Sequence, residues 1–262
     1  MTDAEPPPSP AAVLDTLTRR LTHELREELL SLSVHGSYAS GDYHPGRSDV
    51  DVLAVLTNDP DEDTLAQLSG VHVELVRDHP EWTDHVEVDY VSPSAVADIL
   101  AGGPAHRMIR ISPGEPLHLI EASEHYLLNW QSAQQHGRVL AGDPAREVLA
   151  PVDADHVASV VRSHLSQWPA WVQEAHSPGQ QAYAVLTVCR AVATLATGRQ
   201  LSKRAAADDA RVRLPEWAPL IAWARDWWYA DGSDQNPDRF AEVSRFVTEV
   251  SAATLDPDVR TT

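Results

Sequence analysis

The sequence predicts an α+β fold, with a small mixed β-sheet and its helices over residues 1–102 and an α-helical bundle over residues 103–262. Three observations carry that reading. Apolar runs with strand-like patterning precede about Ser92, helical periodicity dominates after it, and the Gly- and Pro-rich stretch Gly102 to Pro116 reads as a hinge between the two textures. A length of 262 residues suffices for two domains of ordinary size.

Ser9-Pro10 is a helix start, with Ser as N-cap and Pro at the first helical position. Leu14, Leu17, Leu21, Leu25 and Leu29 then recur at three- and four-residue spacing, which describes one buried helical face. Leu30 to His35 is a short strand stopped by Gly36-Ser37. Tyr38 to Ser48, with Gly41, Pro45 and Gly46, is a loop, and Asp49 to Leu56 is a second strand. Asn58 to Asp63 is a turn and helix start. Thr64 to Asp78 fits two patterns: Val71, Val73 and Leu75 alternate like a strand, while Leu65, Leu68, Val71 and Leu75 lie on one helical face. Helix is the choice, because a parallel neighbour for the second strand needs a crossover. His85 to Val91 alternates as a third strand. Beyond it, helices are expected at 93–101, 119–136, 154–174, 179–197, 203–213, 216–230 and 237–254, with Gly198 as a C-cap.

Composition narrows the partners. With 43% hydrophobic and 23% charged residues the chain is that of a soluble, folded protein. A formal net charge of -19 repels phosphate backbones and anionic lipid, which disfavours nucleic acid and membrane surfaces and welcomes a cationic small molecule or a metal–nucleotide complex. The one cysteine, Cys189, permits no intrachain disulfide and reads as a small buried hydrophobe. No apolar run reaches the roughly 18 residues of a membrane span. The acidic, Pro-rich N-terminus is not a secretory signal, so a cytoplasmic protein is expected. Lysine occurs once, at Lys203, where arginine supplies every other basic side chain. A lone lysine in such a chain suits a place that wants a compact ammonium in place of a planar fork.

The informative segment is Leu32-Ser-Val-His-Gly36-Ser37, then the Gly-containing loop, then Ser48-Asp49-Val50-Asp51-Val52-Leu53. On a strand Asp49 and Asp51 project from one face while Val50 and Val52 point into a core. Two adjacent carboxylates repel unless a cation sits between them, and hard oxygen ligands in such a pair suit Mg²⁺, which recruits substrate phosphates as further ligands. Backbone N–H groups at the Gly36-Ser37 turn can hold phosphate oxygens. These parts make a nucleotide-triphosphate grip. No His-Glu-x-x-His, Gly-x-Gly-x-x-Gly or Walker loop is present. Trp217, Trp223, Trp227 and Trp228 stand at helical spacing and read as core with polar edges.

This apolar strand, Gly-Ser, spacer and Asp-x-Asp arrangement resembles the signature of the nucleotidyltransferase superfamily. In the helical half, Ala184-Val-Leu-Thr-Val-Cys-Arg190, Thr197-Gly198, Ser202-Lys203, Ala205-Ala-Ala-Asp208 and Arg213-Leu-Pro215 stand in the order found in the aminoglycoside 3″/9-adenylyltransferases. The resemblance covers most of residues 30 to 250. It implies Mg²⁺ ligands at Asp49 and Asp51, ATP contacts at Gly36, Ser37, Ser48, Arg190 and Lys203, and a general base at Glu87 in His85-Val-Glu87-Val-Asp89. Asp89 is then a bystander or accessory ligand. Trp168 falls on a substrate-stacking Trp, whose acidic companion lands on Gln173, one residue short of Glu174. Glu115 reads as a helix N-terminal residue or a substrate contact.

The implied reaction moves AMP from ATP to a hydroxyl of an aminoglycoside-type antibiotic, spectinomycin or streptomycin, and releases pyrophosphate. The helical half would close over ATP in a protein acting as a monomer. Two rivals stand beside it: the same transfer to another hydroxylated metabolite or a protein side chain, and a non-catalytic nucleotide-binding regulator of antitoxin type. The complete acidic set of Asp49, Asp51 and Glu87 favours turnover.

Overall fold

The computed structural model describes residues 9–256 except 231, 235 and 237. The chain divides into two compact units, Met1–Val152 and Asp153–Thr262.

The first unit holds α1 (Ala11–Leu25), β1 (Leu29–His35), α2 (Gly36–Ser40), β2 (Val50–Leu56), α3 (Glu62–Asp78), β3 (Val86–Val91), α4 (Pro93–Ala101), β4 (Arg107–Ser112), β5 (Glu115–Glu121), α5 (Leu127–His136), β6 (Arg138–Gly142) and α6 (Ala145–Val148). Its strands form one mixed sheet in the order β5-β4-β3-β2-β1-β6, in which only the β2–β3 pair is parallel. Helix α3 is the crossover that this parallel pair requires, and Asp61 caps it by accepting from the Thr64 N–H at 2.9 Å. Leu14, Leu17 and Leu21 of α1 and Leu68, Val71 and Leu75 of α3 pack on the sheet face made by Leu32, Val34, Val52, Val88 and Tyr90. Each fully buried leucine there contributes about 1.5–3 kcal/mol over exposure. Burying these alternate residues commits the other face of the same strands to the polar set.

The second unit is helical: α7 (Ala154–Trp171), α8 (Pro178–Thr197), α9 (Lys203–Arg213), α10 (Ala218–Tyr229) and α11 (Arg239–Leu255). Ser177 and Gln180 form a capping box at the start of α8, and Gly198 ends it at φ +69°. Apolar residues of α8, among them Val185, Leu186 and the buried Cys189, meet Leu220 and Ile221 of α10 and Phe246 of α11. Burial pushes the Cys189 thiol far above its ordinary pKa, so it is inert packing.

Several expectations are corrected. The boundary lies fifty residues later than the expected 102/103, because residues 103–152 belong with the sheet. Strands β4 and β5 fall where a hinge and the first part of a helix at 119–136 were expected, and β6 falls in a stretch given no element. The glycines and prolines of Gly102–Pro116 punctuate short strands: Gly114, at φ +80°, turns β4 into β5, and Pro116 is tolerated because β5 is a sheet edge. Glu115 therefore begins a strand, where it accepts from the Ser112 hydroxyl at 3.1 Å. Pro10, not Ser9, occupies the cap position of α1, and the loop after Gly36-Ser37 opens with the helical turn α2.

Candidate active site

Strand register assembles the polar face. Asp51 stands opposite His35 on β1 and Glu87 on β3, while Asp89 stands opposite Leu53 on β2 and Arg110 on β4. Residues two apart on a strand share a face, so His35, Asp51, Glu87, Asp89 and Arg110 all belong to the side away from α1 and α3. Asp49 precedes β2 on that side, its carboxylate 3.5 Å from His85 Nδ1. The structure thus brings together Gly36, Asp51 and Glu87 from three separate sequence segments.

Gly36 is required where it stands. Its φ is +62°, and a Cβ there would lie 2.0 Å from Asp51 Oδ2. Gly36 and Ser37 begin α2, where N–H groups lack intrahelical partners. Ser48 is buried and its Oγ accepts from the His44 N–H at 3.1 Å, which folds the loop back before Asp49.

Burial and charge divide the carboxylates. Arg110 spans two of them, with Nη2 2.9 Å from Glu87 Oε1 and Nη1 2.5 Å from Asp89 Oδ1. Asn129 of α5 donates to Glu87 Oε1 at 3.3 Å. Burial raises the Glu87 pKa to about 7; Asp51 and Asp89 push it the same way and Arg110 opposes them. Burial also raises Asp89, opposed chiefly by the Arg110 guanidinium. His35 is pushed down to about 4 by burial and is a neutral, packed strand residue. A carboxyl with a pKa near 7 suits proton transfer at neutral pH.

Asp49 and Asp51 are the sequence's candidates for a divalent cation. Among the described residues no group of three or more His, Cys, Asp or Glu is gathered to hold a metal. The pair still fits a hard divalent cation. Both side chains are half-buried on one face, the missing Gly36 side chain leaves space at Asp51 Oδ2, and such a cation draws its remaining oxygens from water and phosphates.

In the second unit Lys203 is the first residue of α9, behind the cap in which the Ala205 N–H donates to Ser202 Oγ at 3.2 Å. Its Nζ lies 4.5 Å from the centre of the Tyr183 ring and 4.3 Å from that of Trp228. Trp168, near the end of α7, packs 6.1 Å from Tyr183, so two of the sequence candidates share one aromatic group. Arg190 lies on the Tyr183 face of α8, two turns further on; it is half-buried and makes no hydrogen bond or ion pair among the described residues. Glu174 stands in the turn after α7, its carboxylate 85% exposed and 3.4 Å from His176. Gln173 donates instead to Ser244 Oγ at 3.0 Å.

Sequence reasoning missed Arg110 and Asn129. A second inward carboxylate, Asp89, was the available signal, because a buried carboxylate demands a cation. Arg107 and Arg110 follow it within the stretch read as a hinge.

Residues 18–109 match the family described as nucleotidyltransferase domain, and residues 147–253 match the aminoglycoside adenylyltransferase C-terminal domain. Relatives include the aminoglycoside (3″)(9) adenylyltransferases of Escherichia coli and Klebsiella pneumoniae, each 26% identical over 241 residues, covering 87% of this chain and 88% of theirs. A crystal structure of spectinomycin adenyltransferase from Enterococcus faecialis with ATP and spectinomycin has the same fold, with a TM-score of 0.74 at 12% identity over 92% of this chain and 99% of that one. With its sheet, its helical unit and both domain matches in the same order, the chain belongs to the aminoglycoside 3″/9-adenylyltransferase family of the nucleotidyltransferase superfamily.

Proposed function

We propose that this chain transfers AMP from ATP to a hydroxyl of an aminoglycoside-type acceptor, spectinomycin or streptomycin, in the cytoplasm and as a monomer. The observation that carries the reading is the pairing of Asp51 with Glu87 in register on one sheet face, next to a glycine whose missing side chain makes room for the Asp51 carboxylate. Asp49 and Asp51 would hold Mg²⁺, which supplies neutralisation of phosphate charge when bound. Gly36, Ser37 and Ser48 would orient the nucleotide, and Arg190 and Lys203 would secure its phosphates with two cations.

Glu87 takes the proton of the acceptor hydroxyl. The freed oxygen bonds to the α-phosphorus, the bond to the bridging oxygen breaks, and pyrophosphate departs with that electron pair. A base with a pKa of about 7 is half-ionised at neutral pH, and general-base help is worth roughly 10²- to 10⁴-fold. Trp168 offers a ring face to the acceptor and Glu174 an exposed carboxylate. The net charge of -19 attracts a polycation over distance.

The test is pyrophosphate release from ATP and Mg²⁺ across a panel of spectinomycin, streptomycin and other aminoglycosides. Acceptor-dependent release is the expected result. Tight ATP binding without release from any acceptor would overturn the reading in favour of a nucleotide-binding regulator.

A further inference from the structure

The two carboxylate oxygens of Glu87 have different surroundings. Oε1 faces Arg110 Nη2 at 2.9 Å and accepts from the Asn129 amide at 3.3 Å. No hydrogen bond reaches Oε2 among the described residues. Arg110 is itself held: Nη1 lies 2.5 Å from Asp89 Oδ1, whose side chain is only 2% exposed, and its guanidinium lies over the Tyr126 ring at 5.1 Å. The two donors come from β4 and α5, so a strand and a helix converge on one atom.

We propose that Arg110 and Asn129 are positioning residues that anchor Glu87 through Oε1 and thereby present Oε2 to the acceptor hydroxyl. This rests on the reading of Glu87 as the proton acceptor. A glutamate side chain has three rotatable bonds, and two donors on one oxygen remove most of that freedom. Proton transfer needs a heavy-atom separation within hydrogen-bond reach, and a misplacement of about 1 Å can cost on the order of 10²-fold in rate. Anchoring through one oxygen fixes the carboxylate plane and leaves the other oxygen's lone pairs for chemistry. Neither residue touches the nucleotide in this scheme, so the effect belongs in kcat and not in ATP affinity.

Asn129→Leu keeps the side-chain size and deletes the donor. Arg110→Met would strand the buried Asp89 carboxylate, so it is made together with Asp89→Asn. Each is assayed by pyrophosphate release with ATP, Mg²⁺ and spectinomycin, or the panel member that turns over fastest, and ATP affinity is measured by calorimetry. The expected result is a kcat loss of about tenfold or more, with KM and Kd for ATP within about twofold of wild type. Arg110→Lys should restore part of the rate lost by Arg110→Met. In a Glu87→Gln background neither change should cost further rate, because no base remains to be aimed. An undisturbed kcat in Asn129→Leu beside an inactive Glu87→Gln would overturn this proposal alone. The same fold-loss in the Glu87→Gln background would also overturn it, in favour of a general packing effect. A fully active Glu87→Gln would overturn the base assignment itself.

Discussion

Gly36→Ala is the sharpest single test of the site, because one added methyl group does two separable things. The first is backbone strain: φ of +62° is left-handed, which costs an L-residue roughly 1–2 kcal/mol. The second is collision: the new Cβ would lie 2.0 Å from Asp51 Oδ2 and 2.8 Å from its Cγ. The carboxylate must therefore retreat by more than about 1 Å, driving Asp51 off its rotamer at about 0.5–1.5 kcal/mol. Together these should lower the melting temperature by several degrees, at about 2–4 °C per kcal/mol for a unit of this size. The functional cost should be far larger, about 10²-fold or more in kcat, because a ligand moved by about 1 Å no longer meets its partner. Gly41→Ala is the internal control. Its φ is +75°, but its Cβ would meet nothing within 4 Å, so it carries the strain without the collision. Steady-state pyrophosphate release and a thermal melt on both variants separate the terms. If Gly36→Ala and Gly41→Ala lose stability and activity in the same proportion, the collision with Asp51 has no functional meaning and the reasoning fails.

Asp49→Asn or Asp51→Asn should abolish metal-dependent ATP binding in calorimetry while the melting temperature holds or rises, since removing one carboxylate relieves repulsion; retention of more than about a tenth of wild-type turnover contradicts the assignment. Lys203→Arg should weaken ATP binding clearly despite conserving charge, because a planar guanidinium does not match an ammonium held 4.5 Å and 4.3 Å from two ring centres; unchanged affinity would make the lone lysine incidental. Two histidines outside the site should set opposite limbs of the stability profile. His106 bonds Asp98 at 2.7 Å and Asp59 at 2.6 Å, and these contacts raise its pKa. Its stabilisation is therefore complete below the unfolded value of about 6.5 and is lost as pH rises through the folded one, so His106→Gln should cost more in urea at pH 6 than at pH 9. His72, lowered to about 4 by burial beside the Tyr90 hydroxyl, works the other way. Its share of stability is whole above pH 6.5 and erodes as pH falls toward 4, and His72→Gln should flatten that acid limb; an unchanged limb would remove His72 as its cause.

What could be read from the sequence was local. Gly36-Ser37, Asp49 and Asp51 lie within sixteen residues, and strand alternation alone says which carboxylates share a face. Glu87 came within reach because Val86 and Val88 mark the buried side of its strand. Arg110 and Asn129 are another matter. Each meets Glu87 through pairing across β3 and β4 or packing of α5, contacts between segments more than twenty residues apart that no periodicity announces. The same limit hid β6, a five-residue edge strand with an exposed Val139, whose single half-buried stripe carries too little pattern to be read as a strand. Lys203 was conspicuous by count, yet its rings come from Tyr183 and Trp228 on two other helices, and only the folded chain brings them together.

The four carboxylates of the face differ in depth, and depth is the reason the proposed scheme gives Asp89 no proton-transfer step. Side-chain exposure falls from 40% at Asp49 to 17% at Glu87 and 2% at Asp89. Asp49 and Asp51 are half-buried and within reach of water, where the proposed cation would meet them. At intermediate burial the cost of charge, with repulsion from Asp51 and Asp89, outweighs the help of Arg110, which is what places Glu87 at about 7. At full burial a charge survives only with a dedicated partner, and Arg110 provides it at 2.5 Å. Asp89 is thereby committed. Its negative charge holds Arg110, Arg110 lies 2.9 Å from Glu87 Oε1, and Glu87 Oε2 is left without a hydrogen bond among the described residues. In the proposed scheme, depth in the sheet sorts chemically identical groups into cation ligands, base and anchor.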